Sequence, residues 1–173
     1  MRKLLAEKIL WKTLSQWNKS SAELNKINFL KTVPFFGDLS SWQLKKVSEI
    51  VFERSYEEGE LIFEKGQPGA ALFLIEEGRV NVEVFQNGQN LDLAILEKGA
   101  FFGEMALLDE SPRSASARAL EPTKTLALYR SDLTRLIHSD PQTACQIYQA
   151  LAKIVGDRLR STNRLVLEEK AAA

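Results

Sequence analysis

Apolar residues recur along this chain with two periods, and the change of period divides it into three stretches. Residues 2–27 contain neither Pro nor Gly, and Leu10, Leu14, Trp17, Leu24 and Ile27 recur at steps of three, four and seven. That spacing predicts an amphipathic helix. Ser20-Ser21 predicts a break in it, with Ser21 capping a second helix before Ala22. Phe29 to Phe36 reads as an apolar bend around Pro34. Ser40 or Ser41 then caps a short helix whose apolar positions are Trp42, Leu44, Val47 and Ile50.

From Val51 to Arg130 the period becomes two. Val80, Val82 and Val84 alternate with Asn81 and Glu83, and Leu91, Leu93 and Ile95 alternate in the same way, as do Leu126 and Leu128. Strict alternation predicts half-buried strands, and Asn87-Gly88 between two such runs predicts a hairpin. Seven of the nine glycines lie between Gly59 and Gly103, so turns interrupt the chain often. Many short strands imply an antiparallel barrel or roll. After Arg130 the helical period returns. Ser131 is placed to cap a short helix ending near His138. Asp140-Pro141 places a capping carboxylate and a proline at the start of a long helix, with Ile147, Leu151, Ile154 and Leu165 on one face. The domains expected are a helical segment at 1–31, a β-roll at 32–140 and a C-terminal helix with tail at 141–173.

Composition excludes several classes of chemistry. With one cysteine, Cys145, neither an intrachain disulfide nor a zinc site of cysteine pairs can be assembled, and with one histidine, His138, a His-rich metal site and the usual His-dependent triads are disfavoured. Cys145 is expected to be a buried apolar residue and His138 a helix-end residue. No apolar run spans a bilayer and no signal peptide is legible, which predicts a cytoplasmic protein. Net charge is zero but uneven: residues 1–31 hold seven basic and two acidic residues, a net of +5, leaving the remainder at −5. An acidic body argues against nucleic-acid binding. The basic segment is expected to be a solvated helix packing Leu14 and Trp17 on the roll. A membrane-surface helix or a partner or dimer contact are the alternatives.

Chemistry concentrates between Phe102 and Ser116, in Phe-Gly-Glu-Met-Ala-Leu-Leu-Asp-Glu-Ser-Pro-Arg-Ser-Ala-Ser. Gly103 permits a close backbone approach or a positive φ. Glu104 to Leu108 can form one helical turn with free N–H groups. Arg113, stiffened by Pro112, offers a planar fork that fits a phosphate, and an ionised Glu104 accepts hydroxyls. A carboxylate and a cation on one short loop suit a sugar phosphate. A plain surface ion pair between Glu104 and Arg113 is the simpler alternative.

This stretch resembles the phosphate-binding cassette of the cyclic nucleotide-binding domain, the module of catabolite activator proteins, cyclic nucleotide-dependent kinases and cyclic nucleotide-gated channels. The glycines match independently, in Glu58-Gly59, Glu64-Lys65-Gly66-Gln67-Pro68-Gly69 and Ile75-Glu76-Glu77-Gly78, as do Phe29-Leu30, Pro34-Phe35-Phe36 and Leu39-Ser40. The resemblance covers about residues 28–140. It implies an α+β fold: an eight-stranded antiparallel β-roll, jelly-roll-like, flanked by N-terminal helices and a C-terminal helix pair. It implies a ligand-binding set of Gly103, Glu104, Met105, Ala106, Arg113, Ser114 and Ala115. Glu104 would accept from the ribose 2′-OH and Arg113 would pair with the cyclic phosphate. The amides of Gly103, Ala106, Ser114 and Ala115, and the Ser114 hydroxyl, would complete the cradle. The helix after Pro141 would act as lid or hinge, with residues near Arg164–Leu167 capping the base.

The function expected is a non-enzymatic receptor for cAMP in preference to cGMP, with no catalytic residues, metal or cofactor. It would signal by conformational change to a separate protein partner, as a monomer or dimer. The alternative is an interaction module of the same fold with an empty pocket or another ligand. About thirty residues follow Pro141 and read as one helix, which leaves no space for a winged-helix DNA reader, so a stand-alone module is expected.

Overall fold

The computed structural model describes residues 21–86 and 88–172. Residues 21–32 are helical (α1), followed by a 3-10 turn Pro34–Phe36 and α2 (Ser41–Ile50). Eight strands follow: β1 (Val51–Tyr56), β2 (Leu61–Phe63), β3 (Ala71–Glu77), β4 (Val80–Gln86), β5 (Gln89–Leu96), β6 (Phe101–Phe102), β7 (Ser116–Ala119) and β8 (Thr123–Tyr129). Helices α3 (Arg130–Ser139) and α4 (Pro141–Ala172) close the chain. The strands form two antiparallel sheets, ordered β1-β8-β3-β6 and β2-β7-β4-β5. This is the α+β roll that the change of period and the resemblance implied.

Strands β3 and β8 are apolar on both faces because both faces are covered. Leu72, Leu74, Leu126 and Leu128 point to the helices, where they meet Leu30, Phe36, Leu44, Leu133, Ile147 and Leu151. Ala71, Phe73 and Ala127 point the other way, into the roll with Val80, Phe102 and Ala117. The small alanines leave that interior partly open. Around it the helices are set by local chemistry. The Ser40 side chain caps α2 and Gln43 returns the bond to the Ser40 amide at 2.9 Å. The Asp140 carboxylate accepts from the Thr143 amide at 3.2 Å, with Pro141 in the first turn of α4.

Several expectations are corrected. The helix that begins the described chain runs to residue 32, so Phe29 and Leu30 lie on it, buried, while Leu24 is exposed. Trp42 is 59% exposed, with Lys46 Nζ 5.6 Å from its ring centroid, and leaves the α2 core to Leu44 and Val47. Leu91, Leu93 and Ile95 are all more than half exposed. Strand β5 is a sheet edge paired only to β4, and the register slips between Val82 and Glu83, so alternation there does not mark a buried face. Helix α3 starts at Arg130 behind Tyr129, with Ser131 inside it and no side-chain cap. Cys145 is exposed, one step off the buried stripe of Ala144 and Ile147. The helix read at 2–20, with Leu14 and Trp17, lies outside the described residues, as do Asn87 of the β4–β5 turn and the side chain of Leu165.

Gly59 and Gly78 both take a positive φ, +81° and +89°, but in different surroundings. A Cβ on Gly59 meets open space, whereas one on Gly78 comes within 2.5 Å of Thr123 Oγ1 and 2.7 Å of the Pro122 carbonyl. Gly59→Ala should therefore cost only the left-handed backbone penalty of about 1–2 kcal/mol. Gly78→Ala adds steric displacement of the turn before β8 and should cost at least about 3 kcal/mol. Urea midpoints of the two variants give the comparison; equal shifts would contradict it.

Candidate functional site

The site begins where β6 ends. Phe102 pairs with Phe73, and the chain turns at Gly103 with φ +73°. A Cβ at Gly103 would lie 2.6 Å from Arg113 Nη1 and 3.2 Å from the Ala71 carbonyl, so glycine serves both the conformation and the space. One 3-10 turn follows, Glu104–Leu107, as the sequence implied. The chain returns at Pro112-Arg113, which is fastened to the glycine-rich loop after β2. The Arg113 amide donates to the Gln67 carbonyl at 2.8 Å, and the Gly66 amide donates to the Arg113 carbonyl at 2.9 Å. Gly69 lies behind, where a Cβ would come 2.9 Å from Ala106 Cβ.

Arg113 is 91% buried, and its bonds go to backbone carbonyls. Its Nη1 donates to Gly103 O at 3.1 Å and Nη2 to Ala71 O at 2.8 Å, while Nε is buried without a partner. The guanidinium carbon lies 4.0 Å from the Phe63 ring centroid and 5.8 Å from that of Phe73. Those rings pack with Phe102 at centroid separations of 5.4–5.8 Å. Desolvation pulls the guanidinium below its ordinary value, and the charge of Glu104 opposes that pull. Arginine titrates so high that it stays cationic. Among the described residues, no carboxylate forms an ion pair with it.

Glu104 is 95% buried and its counter-ion is Arg158 of α4. Arg158 Nη1 donates to Glu104 Oε1 at 2.6 Å, Nη2 to Phe101 O at 3.4 Å, and the guanidinium lies 5.2 Å from the Phe101 ring centroid. The simple Glu104–Arg113 surface pair is thereby replaced: both groups are buried, and each has other partners. Arg158 carries no signal in the local sequence of the loop. Its place in the helical period of 141–172, four residues after Ile154, is the only hint that it turns toward the roll.

These groups enclose a cavity of about 320 Å³. The structure brings together all seven implied residues on its wall: Gly103, Glu104, Met105, Ala106, Arg113, Ser114 and Ala115. Phe63, Val82, Ala94 and Leu96 add an apolar side, and Arg158 faces the cavity from α4. Two details depart from expectation. The Ala106 amide is already used, donating to Gly103 O at 3.3 Å. The α4 side chain at the cavity is Arg158, which the sequence did not single out; the side chains of residues 165 and 166, within the segment expected to cap the base, lie outside the described residues.

The comparisons agree with this geometry. Residues 53–140 match the family model of the cyclic nucleotide-binding domain, and the chain belongs to that family. It is 38% identical over 135 residues to the Cyclic AMP receptor protein of Thermus thermophilus, covering 78% of this chain and 61% of that protein. It is 34% identical over 110 residues to a cAMP-dependent protein kinase regulatory subunit of Pyricularia oryzae, covering 64% of this chain and 28% of that protein. The chain thus spans less than two thirds of the length of these relatives. Among solved structures it resembles the catabolite activator protein of Thermus thermophilus, with TM-score 0.71 and 37% identity over 80% of this chain and 63% of that one. It also resembles a cyclic nucleotide-binding domain from Methylobacillus flagellatus, with TM-score 0.74 and 26% identity over 86% and 84% of the two chains.

Gly103→Ala tests the construction of the site without any ligand. It combines left-handed strain with displacement of Arg113 from its carbonyls, so the variant should lose about 2 kcal/mol or more of stability. Chemical denaturation measures the loss. A variant as stable as the parent would show that Arg113 is not held as tightly as its two hydrogen bonds imply.

Proposed function

We propose that the cavity receives a cyclic nucleotide, cAMP in preference to cGMP, and that the protein acts as a non-catalytic receptor. It would signal to a separate partner through α4. The observation that carries this reading is Arg113. A buried cation with two carbonyl acceptors, an unpartnered Nε and no ion-paired carboxylate is under-compensated until an anion arrives. Its planar fork matches a phosphate. Glu104, on the same loop, supplies the acceptor for a sugar hydroxyl, and Ser114 and Ala115 line the same wall. The apolar side built by Val82, Ala94 and Leu96 suits a purine face. The relatives named as cyclic AMP receptor and cAMP-dependent kinase regulatory subunit support the adenine preference and the regulatory role. A pocket without a ligand would gain nothing from holding both Arg113 and Glu104 under cover, which disfavours a purely structural module.

Isothermal titration with cAMP, cGMP and AMP tests the class and the base together. cAMP should bind most tightly; cGMP binding tenfold tighter than cAMP would reverse the base preference. Arg113→Ala removes the buried cation that carries no ion-paired carboxylate among the described residues and should weaken cAMP binding at least about a hundredfold, the equivalent of roughly 2–5 kcal/mol, while the fold persists. Unchanged affinity in the folded variant would remove the assignment.

Glu104 should report on the ribose. Wild-type protein should bind 2′-deoxy-cAMP more weakly than cAMP by about 1–3 kcal/mol, the worth of a charge-assisted hydrogen bond. Glu104→Gln should bring the two ligands closer together in affinity. Additive losses from the two changes would show that Glu104 does not touch that hydroxyl.

A further inference from the structure

Strand β1 is one edge of the sheet that packs on the helices. It pairs only with β8, and Phe52, Glu53, Arg54 and Ser55 are all exposed. Negative charge collects beside it. Lys26 of α1 pairs with Glu53 at 3.6 Å and Lys124 of β8 with Glu77 at 2.9 Å, but Glu76 takes part in no ion pair among the described residues. Burial, and then the charges of Glu53 and Glu77, hold the Glu76 carboxyl above its ordinary value, while Lys124 and Lys26 oppose them. The turn after β1 adds Glu57, Glu58 and Glu60. Nearby cations are already engaged: Arg54 donates to the Tyr129 hydroxyl at 2.8 Å, and Arg79 pairs with Glu121 at 3.1 Å. The carboxylates at this end of the roll therefore outnumber the cations.

Helix α1 enters the structure at this acidic edge. Residues 21–25 are exposed, Leu24 by 58%, whereas Lys26 reaches Glu53 and Phe29 and Leu30 are buried. The face of α1 that carries Lys26 is thus the one turned to the sheet, and the face that carries Leu24 looks outward. Residues 1–20, outside the described residues, hold Arg2, Lys3, Lys8, Lys12 and Lys19 against Glu7. Lys12 and Lys19 precede Lys26 by two steps and one step of seven, which on a helix is the face of Lys26. Leu10, Leu14 and Trp17 belong instead with Leu24. Twenty helical residues span about 30 Å, longer than the roughly 20 Å of a six-residue strand. We propose that segment 1–20 docks in cis along the β1 edge, with its lysines toward Glu53, Glu76 and Glu77. It extends the contact that Lys26 begins and keeps the Leu14–Trp17 face away from the roll, the reverse of the packing that its apolar residues alone suggest. Charge rather than apolar area holds it, so salt releases it. The proposal is independent of the ligand in the cavity.

Zero-length carbodiimide coupling tests the contact on the full chain without a variant. At about 0.05 M salt Lys12 should couple to Glu53, Glu76 or Glu77. In an equal mixture of isotopically light and heavy protein, the links should stay within one copy. At about 0.5 M salt, where the Debye length falls to about 4 Å, their yield should drop at least about fivefold relative to the Lys26–Glu53 link. Absence of Lys12 links, or links to another face, would overturn the proposal. Links joining light to heavy chains would make a second copy the occupant and overturn docking in cis. Co-sedimentation with anionic phospholipid vesicles in place of the links would assign the segment to a membrane surface and overturn it as well. Hydrogen exchange tests the orientation. At low salt, Lys12→Glu with Lys19→Glu should speed exchange of the amides of residues 8–20 at least about fivefold, and Leu14→Gln with Trp17→Gln by no more than about twofold. The opposite ranking would show that the apolar face docks, and would overturn the arrangement proposed.

Discussion

The loop after β6 is organised around one buried guanidinium. Removing a cation such as Arg113 from water is expensive, and the surrounding architecture is organised to offset that cost. Gly103 omits a side chain where the guanidinium must lie, and its carbonyl accepts one bond. Ala71, at the start of β3, turns its methyl into the roll and its carbonyl to the second bond. Phe63 lies against the cationic plane, and the Gly66–Gln67 turn fastens the backbone of Arg113 from the opposite side. Four separate elements thus converge on one side chain, and none of them supplies a negative charge to it. The compensation is deliberately short of complete from an electrostatic standpoint: dipoles and a ring face stabilise the cation without consuming its capacity to take an anion.

The two-sided burial of β3 connects this site to the helical layer. Along one strand, Leu72 and Leu74 pack into the helices while Ala71 and Phe73 face the roll interior. A close-packed interior transmits displacement, so the helices cannot shift against Leu72 and Leu74 without loading the strand that carries the Ala71 carbonyl. Arg130 makes a second connection. It begins α3 and donates to the carbonyls of Ala106, at 3.1 Å, and Asp109. The 3-10 turn bearing Glu104 is therefore joined to the start of the C-terminal helices by hydrogen bonds as well as by the Arg158 ion pair.

What the sequence disclosed was what short-range physics controls. The change from helical to alternating period located the roll, the glycine spacing located its turns, and Gly103, Glu104 and Arg113 announced a loop with complementary charges. The misreadings share a different cause. Leu91, Leu93 and Ile95 alternate as core residues do, but β5 lies at a sheet edge, and edge position follows from topology rather than from pattern. Trp42 and Cys145 were placed inside by their apolar character, and a rotation of one position on a helix decided otherwise. Arg158 was invisible as a site residue because it lies 54 residues from Glu104 in sequence. Only the tertiary approach of α4 to β6 makes it the counter-ion of a buried carboxylate.

That counter-ion explains why the loop can carry a carboxylate at all. Glu104 is buried, and a lone buried carboxylate would lose more in solvation than a sugar hydroxyl could restore. Arg113 cannot serve as its partner, because an Arg113–Glu104 pair would be internally neutral and would have to be broken before a phosphate could bind. Assigning the counter-ion to a different element resolves the conflict. Arg158 neutralises Glu104 from α4, and Arg113 is left without an ion-paired carboxylate among the described residues. The price of that division is that the Glu104 carboxylate is only as well placed as the helix that supplies its counter-ion. The placement of the loop carboxylate and the seating of α4 are therefore tied by one ion pair, and a structural link between loop and helix is a consequence of burying the carboxylate rather than an addition to it.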